Sequence, residues 1–330
     1  MEDLNVQIKK ANDLFESGKF FEASFSYKEI LYRTTGKKIS KENQHLIKNK
    51  LKESILKAKD EYRELHTEME LSEEMIGQVY KINSDIIRKV DKNLHNLLPL
   101  TFSTIFICSS EDNESSAKKT LPLSYQITNF SIHTKQGYLL ANNDDYTPIE
   151  LWSFKMYEIG QSIKKDFHIN PILKTLTETG VFSLENFSSL LKDKGLEIPE
   201  NDLDILKYGV SIYLANDFTS ALHILVPQFE NLLIIVSEKA GIQTTAFERG
   251  KTITKRITIS DFNLKSDEMT AIFGKDYCYY LRYVLYSPLG LSIRHKIAHG
   301  TISQEECTLG NCNLVLLAIF ILLNKIQHKG

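Results

Sequence analysis

One arginine and two histidines fall within six positions of the stretch Leu289–Gly300, which reads L-G-L-S-I-R-H-K-I-A-H-G. Arg294 carries a planar guanidinium group that can hold two oxygens of one phosphate. His299 carries the side chain that exchanges protons most readily near neutral pH. RNA cleavage needs little more, because the ribose 2′-hydroxyl is the nucleophile and the protein adds a base and a partner for the phosphate charge. The stretch therefore predicts a site for cutting RNA.

The same stretch indicates how these side chains are positioned. Gly290 interrupts the preceding segment, and Ser292 is a candidate N-cap for a new helix. Arg294 and His299 are then expected in the first turns of that helix, where free N–H groups and the positive end of the dipole favour a phosphate. Five helical positions turn by about 140°, so the two side chains need not face the same way within one chain. A surface arginine with a capping histidine is the alternative interpretation.

The neighbouring residues raise a metal site as a further alternative. His295 and His299 are four apart, which is the spacing of two zinc ligands on one helix. A metalloprotease motif would have glutamate after the first histidine, whereas Lys296 stands there and would repel a metal ion. We therefore predict no metal and no cofactor. His295 is a candidate contact to a phosphate or to the same histidine of a second copy of the chain, and Lys296 is either a phosphate contact or a solvated lysine.

Glu230 and Asn231 lie in the apolar run V-P-Q-F-E-N-L-L. An acid buried in such a run requires a partner, and Arg294 is the candidate. The acid would in turn hold Arg294 in position. Long-range pairing cannot be derived from the sequence alone, so a surface glutamate remains equally open.

The motif residues resemble those of a known superfamily. R-x4-H is the signature of the HEPN superfamily of helical RNases, and R-H-K-I-A-H-G is similar to the R-N-x-x-x-H-G motif of one HEPN branch. That branch includes the endoplasmic reticulum membrane-associated RNA degradation protein. The run from Asp217, D-F-T-S-A-L-H-I-L-V-P-Q-F-E-N-L-L, and A-G-I-Q-T-T from Ala240 are also similar to it. The resemblance covers Leu184 to Lys325, with His295 where the branch usually has asparagine.

This resemblance implies a C-terminal HEPN-type helical bundle acting as a metal-independent endoribonuclease, as in a bacterial toxin or an antiphage defence effector. It implies that the site forms at the two-fold interface of a homodimer. Arg294 and His299 would be catalytic, and the supporting residues would be His295, Lys296, Glu230 and Asn231. A catalytically silent HEPN scaffold that binds RNA or a protein partner is the alternative function.

Composition limits the remaining classes. The 330 residues are 42% hydrophobic and 25% charged, with a formal net charge of −2, which argues against coating nucleic acid by bulk charge. Four cysteines without a C-x-x-C pair favour a reduced, cytoplasmic setting. The longest apolar run, Leu314–Leu323, is shorter than the ~20 residues that cross a bilayer. We therefore expect no membrane segment and a buried helix that needs cover.

The pattern along the chain predicts a mainly α protein with three domains, at residues 1–98, 99–183 and 184–330. The first resembles an MIT or tetratricopeptide-type helical bundle, from A-x2-L-F-x2-G-x-F-x2-A-x3-Y at its start. Such a bundle would bind a protein partner or an antitoxin, or would serve only as a helical cap or dimerisation arm. The middle domain is predicted to be mixed α/β, with strands at Phe102–Cys108, Tyr125–Ile132 and Gly137–Ala141 and a mobile loop at Ser109–Thr120.

Overall fold

The computed structural model describes residues 4–33, 41–58, 72–123, 125, 131–133, 139–142, 145–192, 198–247, 254–256 and 259–327. These residues are mainly α-helical, as predicted. The described α-helices are α1 Leu4–Glu16, α2 Phe20–Arg33, α3 Lys41–Ala58, α4 Glu73–Val90, α5 Ser110–Thr120, α6 Pro148–Lys164, α7 Asn170–Glu178, α8 Leu184–Lys192, α9 Glu200–Leu214, α10 Phe218–Lys239, α11 Asp261–Leu264, α12 Asp267–Phe273, α13 Lys275–Leu281, α14 Ile293–Ala298 and α15 Leu309–Gln327.

Shorter elements complete the described chain. Two 3-10 segments span Leu94–Phe102 and Gln304–Glu306, and two π-helical turns span Lys165–Ile169 and Arg282–Tyr286. Two antiparallel hairpins pair β1 Ser131–His133 with β2 Leu139–Asn142, and β3 Thr245–Phe247 with β4 Thr254–Arg256.

The chain forms two compact units. The N-terminal unit contains Met1–Glu70 and Asn129–Asp145, and the large unit contains Leu71–Thr128 and Tyr146–Gly330. The structure thus groups α4 with the large unit rather than with α1–α3. Residues from 99–183 share one hydrophobic core with the C-terminal helices, so no separate middle core is formed by the described residues.

The N-terminal unit is built around the packing of α1, α2 and α3. Ala11 and Ala23 are fully buried, and their small side chains let α1 and α2 approach closely. The Tyr27 hydroxyl donates to Asn12 Oδ1 at 2.6 Å, which fixes the pairing of these two helices. Lys50 Nζ lies 4.1 Å from the centre of the Phe15 ring, so this lysine covers the small core.

Helix α15 is the centre of the large unit. Its residues from Leu314 to Leu323 are at most 2% exposed, because α10, α7 and the 3-10 segment Leu94–Phe102 pack around it within the single chain. The expectation of a buried helix is confirmed. Cover from a second chain, however, is not needed for this helix.

The structure does not support the mixed α/β prediction for the middle segment. Ser109–Thr120, predicted as a loop, contains α5, which begins where the Ser109 side chain accepts from Asp112 N–H at 3.2 Å. Phe102–Cys108 is not a strand, and its backbone is held by the side chain of Gln161. Gln161 Nε2 donates to Phe106 O at 2.8 Å, and Gln161 Oε1 accepts from Cys108 N–H at 3.3 Å.

The two further strands predicted in this segment overlap one short hairpin. β1 and β2 pair Ser131 with Asn142 and Ile132 with Ala141. Residues 126–130 and 137–138 of the predicted strands lie outside the described residues. Among the described residues of the middle segment, strands therefore occur in this hairpin alone, and the other described residues form helices joined by turns.

Helix α10 passes without interruption through Pro227. Asp217 caps it, since the carboxylate accepts from Ser220 N–H at 3.0 Å. Among the described helices it alone is long and apolar enough to span a bilayer. Buried core helices have the same length and composition, so this property does not identify a membrane span. Half of the most apolar 18-residue stretch of this helix is buried inside the protein.

Candidate active site

A π-helical turn sets the position of the motif. The turn ends where Ser287 N–H donates to Arg282 O, five residues back, at 2.8 Å. Because Ser287 N–H bonds to Arg282, it does not bond to the carbonyl of Tyr283. That carbonyl accepts from Leu291 N–H instead, at 2.8 Å. Gly290 packs on the same carbonyl so closely that a Cβ there would lie 2.1 Å from the oxygen. The interruption of the preceding segment expected at Gly290 is therefore a tight backbone contact that only glycine permits.

Ser292 stands at the predicted N-cap position but does not cap with its side chain. Its backbone is left-handed, with φ 53° and ψ 35°, and its buried Oγ has no hydrogen-bond partner among the described residues. The backbone carbonyl alone accepts from Lys296 N–H, at 3.0 Å. The helix that follows has only six residues, so its N-terminus gives little dipole for the phosphate site that we expected there.

The end of α14 explains the A-H-G part of the motif. Gly300 has φ +63°, its N–H donates to Ile297 O at 3.1 Å, and Thr301 N–H donates to Lys296 O at 2.8 Å. These bonds form a Schellman motif, in which a residue with positive φ ends a helix. His299 is consequently the C-cap, at the opposite end of α14 from Arg294. The expectation that both residues lie in the first turns is wrong for His299.

Arg294 is turned towards α10 and pairs with Glu230. Its Nε lies 3.0 Å from Oε2, and its Nη2 lies 3.1 Å from Oε1. The side chains of Arg294 and Glu230 are 24% and 17% exposed. A guanidinium has five N–H donors, so this two-pronged bond fixes the plane of Arg294 while its Nη1 edge is left for another oxyanion.

The two histidines form a ring pair on the outer side of α14. The ring centres of His295 and His299 are 4.3 Å apart, with 48° between the ring planes. His295 is half-buried, and burial lowers its pKa, with smaller contributions from His299 and Arg294. His299 is exposed. No hydrogen bond joins the described side chains of Arg294 and His299, as the angular spacing had indicated.

The described part of the chain contains no group of three or more histidine, cysteine, aspartate and glutamate side chains placed to hold a metal ion. Within those residues the His295–His299 pair accordingly has no third side chain of these types beside it. A role in proton transfer needs no third side chain.

Lys296 is paired within the protein. Its Nζ lies 2.6 Å from Glu306 Oε1, while Glu306 Oε2 accepts from the backbone and hydroxyl of Ser303 at 2.9 and 3.0 Å. These bonds attach the segment after the motif to α14. The charge of Lys296 is thereby balanced, which favours a positioning role over a phosphate contact.

Asn231 lies beside α9. It borders a small cavity that is also lined by Asp202, Leu206 and Gln228. Of the two residues predicted from the run V-P-Q-F-E-N-L-L, the structure brings Glu230 to Arg294 and places Asn231 against a neighbouring helix.

Tyr286, which the sequence did not single out, ends the π-helical turn that packs against α14. It is 7% exposed, and its hydroxyl has no hydrogen-bond partner among the described residues. Burial raises the pKa of this hydroxyl, the Glu230 carboxylate raises it further, and Arg294 opposes them. Burial and an absent partner are properties of packing, so no sequence pattern could have indicated this residue.

A separate cleft of about 770 Å³ lies between α5, α6 and α11–α13. Arg282, one of its lining residues, lies over the rings of Phe154 and Tyr279 and donates to Asp261 at 2.9 and 3.5 Å. Its lining carries balanced charge, which does not suit a polyanion track. The charged lining residues are Lys118, Lys265, Lys275, Arg282, Glu111, Glu114, Glu150 and Asp267.

Comparison with known proteins assigns no family. No protein-family model matches the chain, and no significant match was found among curated proteins or solved structures.

Proposed function

We propose that the chain is a metal-independent endoribonuclease of HEPN type, acting in the cytoplasm as a bacterial toxin or antiphage defence effector. The observation that carries the proposal is the two-pronged bond that Arg294 donates to the Glu230 carboxylate, at 3.0 and 3.1 Å. It orients a guanidinium on the same short helix as an exposed histidine. The resemblance of R-H-K-I-A-H-G to the HEPN motif supplies the reaction class.

In the proposed reaction the ribose 2′-hydroxyl attacks the adjacent phosphorus. His299 accepts the proton of that hydroxyl or protonates the 5′-oxygen that leaves, a contribution of typically ~10²–10⁴-fold. Arg294 stabilises charge on the pentacoordinate phosphorus through the donors that Glu230 does not use, and one such donor is worth on the order of 10²–10³-fold. The half-buried His295, whose pKa is lowered, remains neutral beside His299 and does not compete with it for the proton.

We propose further that the working site forms in a homodimer. Arg294 faces α10 while His299 is exposed at the other end of α14, so one chain presents the two groups separately. Two copies of α14 side by side would bring the histidine of one chain to the arginine of the other. The site alone supports the homodimer, because α15 is covered within one chain.

The alternative function is a catalytically silent scaffold that binds RNA or a protein partner, with the N-terminal unit as an adaptor for that partner. The same ion pair supports it, since a bond between α14 and α10 stabilises the fold whether or not a phosphate binds. Cleavage by the purified protein distinguishes the two functions.

The deciding experiment incubates the purified chain with single-stranded RNA in EDTA. We expect cleavage that leaves a 2′,3′-cyclic phosphate on the 5′ fragment and a 5′-hydroxyl on the 3′ fragment, while DNA of the same sequence survives. Light scattering on the same sample should show a species of twice 37.9 kDa. Cleavage that EDTA stops would refute the metal-independent mechanism, and the absence of cleavage with the scaffold's binding intact would favour the alternative.

A further inference from the structure

The segment after His299 turns back towards α14. Gly300 has φ +63°, and the backbone carbonyl of Lys296 accepts from two later N–H groups. Thr301 N–H donates to it at 2.8 Å, and Ile302 N–H donates to it at 3.3 Å. These bonds close a tight turn in which His299 lies between Lys296 and Thr301.

The Glu306 carboxylate closes the same turn a second time, through side chains. Its Oε1 accepts from Lys296 Nζ at 2.6 Å, and its Oε2 accepts from the N–H and the hydroxyl of Ser303 at 2.9 and 3.0 Å. The side chains of Lys296 and Glu306 are 28% and 26% exposed, so water screens this ion pair less than it would screen a surface pair. His299 is therefore enclosed in a loop whose two ends are joined by one carboxylate.

Glu306 is also attached to the central helix of the large unit. Asn311 Nδ2 donates to the backbone carbonyl of Glu306 at 2.7 Å, and Asn311 lies in the first turn of α15. The later part of this helix, Leu314–Leu323, is at most 2% exposed. Direct bonds thus lead from the buried helix α15 through Glu306 to Lys296 on α14.

Helix α14 has little apolar surface to hold it. Among its six residues Ile293 is buried, and Ile297 is partly buried against the core. A helix of this length has little stability of its own, so bonds from its side chains set its orientation. Arg294 attaches its first turn to α10. At the end that carries His299, the ion pair with Glu306 has the same role.

We propose that Glu306 is a positioning residue that holds His299 where it transfers a proton in the cleavage reaction. Glu306 acts through Lys296 and Ser303, does not touch the reacting atoms and exchanges no proton itself. Catalytic groups must be held within about 0.5 Å of the productive geometry, and a shift of about 1 Å can cost about 100-fold in rate. The inference rests on the proposed function, since it assigns the proton transfer to His299.

The variant Glu306→Gln tests the inference. Glutamine has nearly the same size, but its NH₂ group cannot accept a hydrogen bond, so it cannot hold Lys296 and Ser303 at the same time. We expect kcat for RNA cleavage to fall by about 10–100-fold. KM should stay unchanged, because Arg294 keeps its bond to α10 and its contact to the phosphate. Binding of an RNA with methylated 2′-hydroxyls, which cannot be cut, should be unchanged for the same reason.

Glu150→Gln is the matched control, because Glu150 is bonded in the same way in the separate cleft. Its Oε1 accepts from Lys265 Nζ at 3.3 Å, and its Oε2 accepts from the N–H and the hydroxyl of Thr147 at 2.9 and 3.0 Å. The side chains of Lys265 and Glu150 are 35% and 39% exposed. Glu150→Gln should lower the melting temperature about as much as Glu306→Gln and should keep wild-type kcat.

A second variant, Lys296→Met, removes the other partner of the ion pair and leaves Glu306 bonded to Ser303. It should lower kcat to a similar extent without changing KM. The double variant Lys296→Met with Glu306→Gln should lose little more than either single variant, because both remove the same bond. If Glu306→Gln does not fold, Lys296→Met and its kcat decide the question.

The remaining outcomes count against the inference in different ways. If Glu306→Gln cuts RNA like the wild type, or loses no more kcat than Glu150→Gln, the inference is wrong and the proposed function stands. If Lys296→Met raises KM and weakens RNA binding at unchanged kcat, Lys296 contacts phosphate directly and the inference is again wrong. If the wild type does not cut RNA, the proposed function fails and the inference fails with it.

Discussion

The guanidinium of Arg294 and the carboxylate of Glu230 meet in a parallel two-pronged bond across 64 positions of sequence. The pair joins the short helix α14 to the long helix α10, and its side chains are less than a quarter exposed. A six-residue helix has little stability of its own. The pair therefore holds the motif in place as well as orienting the arginine, and these two effects can be separated by substitution.

Glu230→Gln should reduce both stability and cleavage. Glutamine keeps one acceptor but loses the charge, so we expect the free energy of unfolding to fall by about 1–3 kcal/mol. Cleavage should fall by about 10–100-fold because Arg294 is no longer held in one plane. Chemical denaturation and an RNA cleavage assay measure the two effects.

The matched control for this substitution is Asp261→Asn. Asp261 pairs with Arg282 in the same two-pronged way, with side chains 16% and 9% exposed, in the separate cleft. It should lose similar stability and keep wild-type cleavage. Equal losses of cleavage in both variants would mean that general destabilisation, rather than the orientation of Arg294, limits the reaction.

His299→Ala and Arg294→Ala should both abolish measurable cleavage but differ in stability. His299 is exposed, and surface substitutions usually change stability by less than about 0.5 kcal/mol. Arg294→Ala leaves Glu230 unpaired and partly buried, which should cost about 1–3 kcal/mol. Cleavage assays and chemical denaturation of both variants measure these effects.

A double variant separates the two roles of the arginine. Arg294→Met with Glu230→Gln removes both charges, and replacing a pair in this way is often close to neutral for stability. It should recover stability without recovering cleavage. Recovered cleavage in the double variant would contradict the catalytic role of Arg294.

The Arg294–Glu230 pair could be predicted only in part from the sequence. An acid inside an apolar helix requires a cation, which is why Arg294 was a candidate, but a pairing over 64 positions depends on how two helices pack. The position of His299 was missed because the sequence pattern did not reveal that Gly300 ends the helix after six residues. Tyr286 gave no signal at all, since its burial exists only in the folded chain.

Helix α5 was missed for a different reason. Its sequence S-E-D-N-E-S-S-A-K-K-T is almost entirely polar, and polar runs of this kind are typical of loops. The helix forms because Ser109 caps it, acids occupy its first turn and lysines its last, and Ala117 is buried. Its capping residue and charge order favour a helix, whereas its polar composition favours a loop.

Gly290→Ala should disrupt the motif. The new Cβ would lie 2.1 Å from the Tyr283 carbonyl oxygen and 2.8 Å from its carbonyl carbon, both of which are backbone atoms that cannot rotate away. We expect a loss of about 2–4 kcal/mol, at or above the usual cost of overpacking, and lost cleavage. Chemical denaturation and the cleavage assay measure both losses.

Gly77→Ala is the control for the effect of alanine itself. Gly77 lies inside α4, and none of the described atoms would lie within 4 Å of a Cβ added there. Replacing a helical glycine at such a position should stabilise by about 0.5–1 kcal/mol. Equal melting temperatures for the two alanine variants would contradict the close contact at Gly290.

The stability of the protein should decrease as the pH is lowered from about 7.5 to about 5.5. This range brackets the ordinary histidine pKa of about 6.5. Burial lowers the pKa of both His295 and His168 below the ordinary value of 6.5, so the unfolded chain binds protons at a higher pH than the folded chain. Stability is lost where the unfolded state binds more protons, which here means as the pH falls through about 6.5. Glu150 and Glu306 have pKa values below 4.5, so this pH range leaves them charged.

His295→Asn should therefore flatten the pH dependence of the melting temperature. Asparagine does not titrate, and it also matches the residue usual in the HEPN branch that the motif resembles. His168→Asn should remove a separate part of the pH dependence. The double variant should show the smallest change in melting temperature across the same pH range. Thermal melts at both ends of that range measure the effect, and an unchanged dependence in His295→Asn would show that His295 is not held neutral by its surroundings.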